Sequence, residues 1–265
     1  MENTSTHLAW ALDSIKEKIE LTLANIMEVN PNFTKDQALN CIAPLVDELH
    51  NMIAQTNTDS LTKTLNRSGL DGHLQFTLGR MLDSGQGHLM VVNCDLDHFK
   101  AMNDTHGHAA GDTALKEFAS RLQREFAMQE LDVTMARPGG DEFVVIINGV
   151  YNGLGCEWDG HPPTQKLVHE MIHQALMYPT PIMAQNDDFV SVLGVSLGFA
   201  TTSGEELKKN DAPVSEIARK LMCEADADMY LDKAWKDLRA KDPRARAEKV
   251  TGVKCAESAP SRDVA

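Results

Sequence analysis

The feature that most constrains the fold of this chain is a pair of short apolar runs separated by a glycine-containing turn. Residues 133–137 (VTMAR) and 142–147 (EFVVII) flank the turn Pro138-Gly139-Gly140-Asp141. Glycine and aspartate are favoured in the tight turns that join antiparallel strands. The pattern therefore predicts a β-hairpin.

From Thr58 onward, predicted helices alternate with apolar runs. Buried strands are expected at residues 88–94 (HLMVVNC) and 190–200. Helices are expected over residues 60–83, with Asp59 as the cap, and over 109–128, 164–177 and 214–239. The residues after Asp95, including Gly107 and Gly111, are expected to form a polar loop. This alternation predicts an α+β fold of the α/β-sandwich type, in which helices cover one sheet.

Residues 1–57 are predicted to be a separate helical region, because apolar residues recur at helical spacing on both sides of Asn30-Pro31-Asn32. The pattern indicates an α-helical hairpin. Two interpretations stay open: a hairpin that packs on itself, or a dimerisation or signal-input module. Residues 58–240 form the predicted main domain, and the basic, then polar residues 241–265 are expected to be a disordered tail.

The composition restricts the expected cellular location of the protein and its expected binding partners. The formal net charge of -14 argues against binding to nucleic acid, which needs Lys and Arg to neutralise phosphates. The five cysteines are scattered, without the spacing of a zinc site or a disulfide framework. The first residues lack the features of a signal peptide, and no run approaches the roughly 20 apolar residues of a membrane helix. We therefore expect a cytoplasmic protein with no nucleic-acid or membrane partner.

Two acidic clusters are candidates for chemistry. Asp95-Leu96-Asp97 ends a predicted strand, and Asp141-Glu142 lies in the hairpin turn. Carboxylates at the ends of adjacent strands would give the oxygen-rich surroundings that Mg²⁺ prefers. Either cluster alone is more simply explained as a strand end or a turn.

The residues between these clusters offer groups for a nucleotide. Lys100 carries a compact positive charge for phosphate, and an amide (Asn103) with a carboxylate (Asp112) matches the hydrogen-bonding edge of guanine. Gly139-Gly140 would let the backbone approach a triphosphate closely. His106 and His108 are weak evidence for a metal site, and His108 is more simply a residue that orders the loop.

Several motifs then occur in order along the chain. They are Asp59-Ser60-Leu61-Thr62-Lys63-Thr64-Leu65-Asn66-Arg67, Asp95-Leu96-Asp97-His98-Phe99-Lys100, Asn103-Asp104-Thr105-His106-Gly107-His108, Arg137-Pro138-Gly139-Gly140-Asp141-Glu142-Phe143 and Asp226-Ala227-Asp228-Met229-Tyr230-Leu231-Asp232-Lys233. Together they resemble the GGDEF family of diguanylate cyclases, over about residues 58–236, with the signature pentapeptide matched in full.

The resemblance implies a nucleotidyl-cyclase fold related to polymerase palms, and an enzyme that condenses two GTP into cyclic di-GMP and two pyrophosphates. It implies that Mg²⁺, with Mn²⁺ as a possible substitute, is held by Asp95, the carbonyl of Leu96, Asp141 and Glu142. The implied catalytic residues are Asp141 as the base, Glu142 and Lys100. The implied GTP-binding residues are His98, Phe99, Lys100, Asn103, His108, Asp112, Gly139, Gly140 and Lys233.

Since one domain would bind one GTP, the resemblance also implies a homodimer with one half-site per subunit, in a bacterial signalling role. The N-terminal helices would then raise the effective concentration of the second domain. The alternative from another class is a catalytically silent GGDEF domain that binds GTP or a protein. A cyclase that uses ATP is disfavoured, because Asn103 and Asp112 match guanine.

The chain departs from the family pattern at three places. The window for the family's inhibitory product site, Glu130-Leu131-Asp132-Val133, lacks the RxxD motif, so no such site is recognisable. Lys63-Thr64 stands where the family usually has Gly-Leu, at an expected helix start. Lys236-Asp237-Leu238 replaces Gly-Arg-Asn, which removes a phosphate-binding arginine for which Lys236 is the candidate substitute.

Overall fold

The computed structural model describes residues 56–129, 131–149, 163–177, 180–182 and 189–241. The predicted helices of residues 1–55, the unassigned segment 150–162 and the tail beyond 241 lie outside these residues. The helices are α1 (Arg67–Ser84), α2 (Phe99–His106), α3 (His108–Met128), α4 (Gln165–Leu176), α5 (Gly204–Lys208) and α6 (Val214–Lys241). The strands are β1 (His88–Leu96), β2 (Asp132–Gly139), β3 (Glu142–Asn148), β4 (Thr180–Ile182), β5 (Phe189–Ser191) and β6 (Val195–Ser203).

Four strands form an antiparallel sheet in the order β2-β3-β1-β6. The predicted hairpin is confirmed as β2 and β3, and Gly140 in its turn has φ +58°, which a residue without a Cβ adopts at little cost. Strand β1 lies in the centre, where Asp95 pairs with Glu142 on one side and Ser196 on the other. Strands β4 and β5 form a separate two-stranded sheet.

Helices cover both faces of the main sheet, which explains the nearly continuous apolar run of β1. Met90, Val92 and Cys94 face a core that includes Phe118 of α3 and residues of α4. Leu89 and Val91 face a second core, built with α1 and α6. Side chains alternate between the two faces of a strand, so a strand with a helix layer on each side is apolar at nearly every position. The predicted α+β fold is confirmed.

Helix α6 protects the edge strand β6. An added Cβ at Gly198 would overlap the backbone of Ala225 and Met229, so only glycine permits this close contact. The carboxylates of Asp232 and Asp228 accept hydrogen bonds from the backbone N–H groups of Leu197 (3.0 Å) and Phe199 (2.9 Å). These N–H groups would otherwise be unpaired at the sheet edge.

The predicted start of the first helix was wrong. Asp59 caps a turn, in which it accepts hydrogen bonds from the backbone N–H (2.8 Å) and hydroxyl (2.7 Å) of Thr62. Lys63 has φ +61°, which interrupts a right-handed helix, and α1 begins only after its N-cap Asn66. The position where the family has glycine is therefore a left-handed turn position and not part of a helix.

Two further predictions were wrong. The expected polar loop after Asp95 instead forms helix α2, which Gly107 at φ +84° separates from α3. The helix predicted over 109–128 is confirmed as α3, and Gly111 lies buried inside it. The expected strand 190–200 is broken at residues 192–194, because β5 pairs with β4 while β6 pairs with β1. Alternation of apolar residues does not reveal which strand is the partner.

Candidate functional site

The structure brings the two acidic clusters together at one end of the sheet. Asp95 and Glu142 are register partners in β1 and β3, and the backbone N–H of Leu96 donates to the carbonyl of Asp141 (3.3 Å). Asp95 is 8% exposed, whereas Glu142 is exposed. A buried carboxylate needs a cationic or hydrogen-bonding partner to remain charged.

That partner is Lys233 of α6, whose ammonium donates to the Asp95 carboxylate at 2.7 Å. The hydrogen bond that Lys233 donates to Asp95 raises the pKa of Lys233, against a smaller opposing effect of burial. The charges of Asp95, Asp141 and Asp97 also raise this pKa. Carboxylates from both acidic clusters therefore raise the pKa of this one lysine. The family resemblance had assigned Lys233 to GTP binding.

Asp97 belongs to a neighbouring network. It accepts a hydrogen bond from the hydroxyl of Ser196 (2.6 Å) and contacts the ammonium of Lys236 (3.5 Å). Lys236 also pairs with Asp232 (2.9 Å) and donates to the carbonyl of Val195. Lys236 therefore joins α6 to β6 in this structure. Its suggested role in place of the missing phosphate-binding arginine stays a prediction.

A clamp that the sequence did not reveal fixes the hairpin turn. The guanidinium of Arg137 pairs with the carboxylate of Asp59 (3.1 and 3.2 Å) and donates to the carbonyl of Gly140 (2.9 and 2.7 Å). Partial burial by itself raises the pKa of Asp59, but hydrogen bonds from Thr62 and the charge of Arg137 hold this pKa below its usual value. The two residues are 78 positions apart, so no local pattern could pair them.

The candidate base site lies between α2 and α3. The Oδ1 atom of Asn103 is buried and has no hydrogen-bond partner among the residues that the structure describes. It lies against Gly111, where an added Cβ would overlap it and would also come within 3.0 Å of the Phe99 ring. Asp112 follows Gly111 and is exposed. The amide of Asn103 thus lies against the residue that directly precedes Asp112 in the chain.

The remaining predicted GTP-binding residues lie on the surface near these elements. His98, at φ +61°, is the N-cap of α2, which places Phe99 and Lys100 in its first turn. The first N–H groups of a helix have no partner inside the helix and favour an anion. Lys100, His108, Gly139 and Gly140 are exposed, and an added Cβ at either glycine would meet nothing within 4 Å.

The donor set fits a magnesium ion that shares its coordination with a phosphate. Asp95, Asp141 and Glu142 provide carboxylates, but the described residues contain no group of three or more His, Cys, Asp or Glu side chains already arranged around one point. Mg²⁺ commonly uses only one or two carboxylates together with water and substrate phosphates. Mg²⁺ therefore does not need a complete set of protein ligands here.

A cavity of about 560 Å³ lies on the other side of Glu142, between α1 and α6. Among the predicted site residues, all of which lie in the described part of the chain, only Glu142 lines this cavity. Glu142 pairs with Gly139 across the turn. Asn93 and Val144 also line the cavity. The cavity is thus next to the candidate site but separate from the Asn103–Asp112 pair.

The antiparallel sheet, the helices on both of its faces and the acidic hairpin at one end define a palm-like α+β domain. The family described as "Diguanylate cyclase, GGDEF domain" matches residues 56–236. The chain belongs to this family.

Relatives and solved structures agree with this assignment. The diguanylate cyclase TpbB of Pseudomonas aeruginosa is 34% identical over 143 residues, which are 53% of this chain and 32% of TpbB. An uncharacterised signalling protein of Caulobacter vibrioides is 40% identical over 141 residues, 52% of this chain and 16% of that protein. The chain thus matches a third or less of the length of these two relatives.

The solved GGDEF domain of TpbB superimposes with a TM-score of 0.50 at 27% identity, covering 67% of this chain and 89% of that domain. The coiled coil and GGDEF domain of DgcB from Caulobacter crescentus, solved with c-di-GMP, gives a TM-score of 0.55 at 23% identity, covering 75% and 92%. The second likeness shows the fold alone. None of the helices in the described part of the chain is both long and apolar enough to cross a membrane.

Proposed function

We propose that this protein is a diguanylate cyclase that condenses two GTP molecules into cyclic di-GMP and two pyrophosphates. The observation that carries the proposal is the meeting of Asp95, the Asp141-Glu142 turn and Lys233 at the end of the hairpin. A carboxylate base, oxygen ligands for a metal and a phosphate-binding cation are what in-line phosphoryl transfer requires. The relative TpbB is itself named a diguanylate cyclase, which supports the same activity for this chain.

The base end supports guanine as the ligand. An asparagine side chain carries both a donor and an acceptor, and a carboxylate only accepts. Guanine offers a carbonyl beside a ring N–H and an exocyclic amine, so Asn103 and Asp112 together match it. The side-chain N–H of Asn103 would donate to the guanine carbonyl, and Asp112 would accept from the ring N–H and the exocyclic amine.

Asp95, Asp141, Glu142 and the carbonyl of Leu96 would hold Mg²⁺, or Mn²⁺ in its place. The bound ion would neutralise the negative charge that develops on the phosphates. Lys233 would exchange its Asp95 partner for the triphosphate, since it already lies at the carboxylate that the ion would occupy. Lys100 and the first N–H groups of α2 would hold the remaining phosphate charge.

In each of the two steps, the ribose 3′-oxygen of one GTP forms a bond to the α-phosphorus of the other. The bond from that phosphorus to the oxygen bridging the α- and β-phosphates breaks, and pyrophosphate leaves with the electron pair. Asp141 accepts the proton of the 3′-hydroxyl, as a general base. Two such steps close the ring of cyclic di-GMP.

One chain presents one set of these groups, whereas the reaction joins two GTP molecules. We therefore propose that the active enzyme is a homodimer in which two half-sites face each other. The expected consequence is a specific activity that rises with protein concentration until the dimer is saturated.

The proposal is tested by incubating the purified protein with Mg²⁺ and GTP, ATP or both, and identifying the products by mass. We expect cyclic di-GMP from GTP alone. Asp141→Asn keeps the size of the side chain but removes the base, and we expect a loss of about 10²- to 10⁴-fold in rate. Asp83→Asn, at an exposed position in the last turn of α1, is the matched control.

If the wild-type protein binds GTP in calorimetry but yields no product, the catalytically silent alternative is correct. If Asp141→Asn retains the wild-type rate, the base assignment is wrong. A folded variant, verified by circular dichroism, makes either result interpretable.

A further inference from the structure

Helix α4 carries two histidines that are not among the predicted site residues. His169 and His173 are four residues apart, so their side chains leave the same face of the helix. Their ring centroids are 4.3 Å apart and their planes are inclined by 47°. Two imidazoles this close can bind one ion after a small rotation of their side chains.

Both rings line a groove of about 700 Å³ between α4 and the loop before β6. Met177, one further turn along the chain from His173, lines the same groove and is 60% exposed. The opposite wall is formed by Val192, Leu193 and Gly194. The α4 side of the groove therefore presents two imidazoles and a thioether, together with the side chains of Glu170, Gln174 and Leu176, and the opposite side is largely apolar.

The ligand types select the kind of ion. Imidazole suits copper, nickel and zinc, and a thioether further favours copper in its reduced state. Mg²⁺ prefers oxygen ligands, so the two imidazoles favour copper over Mg²⁺. The affinity of nitrogen sites for divalent first-row metals peaks at Cu²⁺.

We propose that His169 and His173, with Met177 beside them, form a copper site on α4 that is separate from the catalytic residues. The two imidazoles hold Cu²⁺, with water completing its coordination. The thioether of Met177 adds a ligand for Cu⁺. This site does not depend on the proposed cyclase activity.

The test is a titration of the full chain with Cu²⁺, followed by electron paramagnetic resonance, in the absence of nucleotide. We expect one Cu²⁺ per chain with hyperfine splitting from two nitrogen ligands. His169→Gln with His173→Gln should lose this signal, and each single variant should bind more weakly. Removing a residue that only supports a ligand lowers metal affinity by about tenfold to hundredfold. Removing a direct ligand should therefore lower the copper affinity by more than this.

The matched control is the pair His106→Gln and His108→Gln, which removes the other closely spaced histidines of the described chain. A two-nitrogen signal that survives in the His169/His173 variant and disappears in this control would overturn the proposal. Met177→Leu is expected to weaken Cu⁺ binding, measured by competition with a coloured chelator, and to leave Cu²⁺ binding nearly unchanged. An equal effect on both oxidation states would contradict the role of Met177. Circular dichroism before titration shows that each variant is folded.

Discussion

The two ends of the proposed GTP half-site differ in how their polar groups are paired. At the phosphate end, Asp95 is bonded to Lys233 and Arg137 is bonded to Asp59 and Gly140. At the base end, the Oδ1 of Asn103 is buried without a partner among the described residues. The buried charge at one end is paired within the protein, whereas a buried polar atom at the other end has no partner among the described residues.

This difference follows from the energies involved. An isolated charge buried from water costs far more than an isolated amide oxygen, so a charged site is stable in the free protein only if its charges are paired. An unpaired amide costs about 1–3 kcal/mol. We therefore expect variants at the phosphate end to change the chemical step, and variants at the base end to change GTP binding.

Among the variants that compare the two ends, the largest effect is expected for Lys233→Met, which keeps the length of the side chain and removes its charge. Loss of a group that stabilises charge in the transition state should lower kcat by about 10²- to 10³-fold. Stability should also fall, because the buried Asp95 carboxylate loses its ammonium partner. Pyrophosphate release measures the rate.

The control for this variant is Lys220→Met, at an exposed α6 lysine that contacts Glu224 at 3.7 Å. If both variants lost activity equally, the role of Lys233 in the chemical step would be refuted.

Gly111→Ala tests the base end. The added methyl group would displace the amide of Asn103, so we expect KM for GTP to rise by about tenfold or more, with a smaller change in kcat. Steady-state kinetics separates the two constants. Gly79→Ala is the control, since its methyl group would meet nothing within 4 Å. A fall in kcat with an unchanged KM would place Asn103 in the chemistry and remove the distinction between the ends.

Arg137→Met breaks the clamp at the phosphate end. Losing hydrogen bonds to a charged group should lower the free energy of unfolding by about 1.5–3 kcal/mol at pH 7, measured by urea denaturation. Because the pKa of Asp59 is lowered in the folded protein, its contribution is complete above its ordinary value of 3.8 and is lost as the pH falls through the folded value. The stability difference between wild type and variant should therefore shrink in acid.

Arg121→Met, which removes an Arg–Glu pair within α3, is the control for general effects of losing an arginine. A difference between wild type and Arg137→Met that stays constant down to pH 3 would mean that Asp59 is not the partner that matters.

The smallest effect is expected for Lys63→Gly, in the turn that supports the hairpin through Leu65. A left-handed conformation costs a non-glycine residue about 1–2 kcal/mol, and the greater flexibility of unfolded glycine offsets about 0.5–1 kcal/mol of this. We expect a gain of up to about 1 kcal/mol in urea denaturation. Lys166→Gly, in the first turn of α4, should instead be destabilising. A loss of stability in Lys63→Gly would show that the turn contributes through the lysine side chain.

Local patterns predicted the parts of the fold that depend on neighbouring residues. The hairpin followed from Gly139-Gly140 between two apolar runs, and the buried β1 followed from its composition. Helix α2 was missed, because its short sequence between Asp97 and Gly107 is mostly polar and buries no residue completely. Helix α5 was missed although Ser203 and Glu206 form a capping box, a signal that could have located it.

The sequence by itself determined the family, the hairpin and the residue types available to bind a nucleotide, because these depend on short patterns and on the order of motifs. Only the tertiary structure decided that Lys233 bonds to Asp95, that Arg137 bonds to Asp59 and that Lys236 is held at β6. These partners are separated by tens of residues or more, and each side chain had several candidates of opposite charge. The packing of α6 and of the hairpin decides which of these candidates meet. A charge pair is strong only where its two groups are held close together and shielded from water.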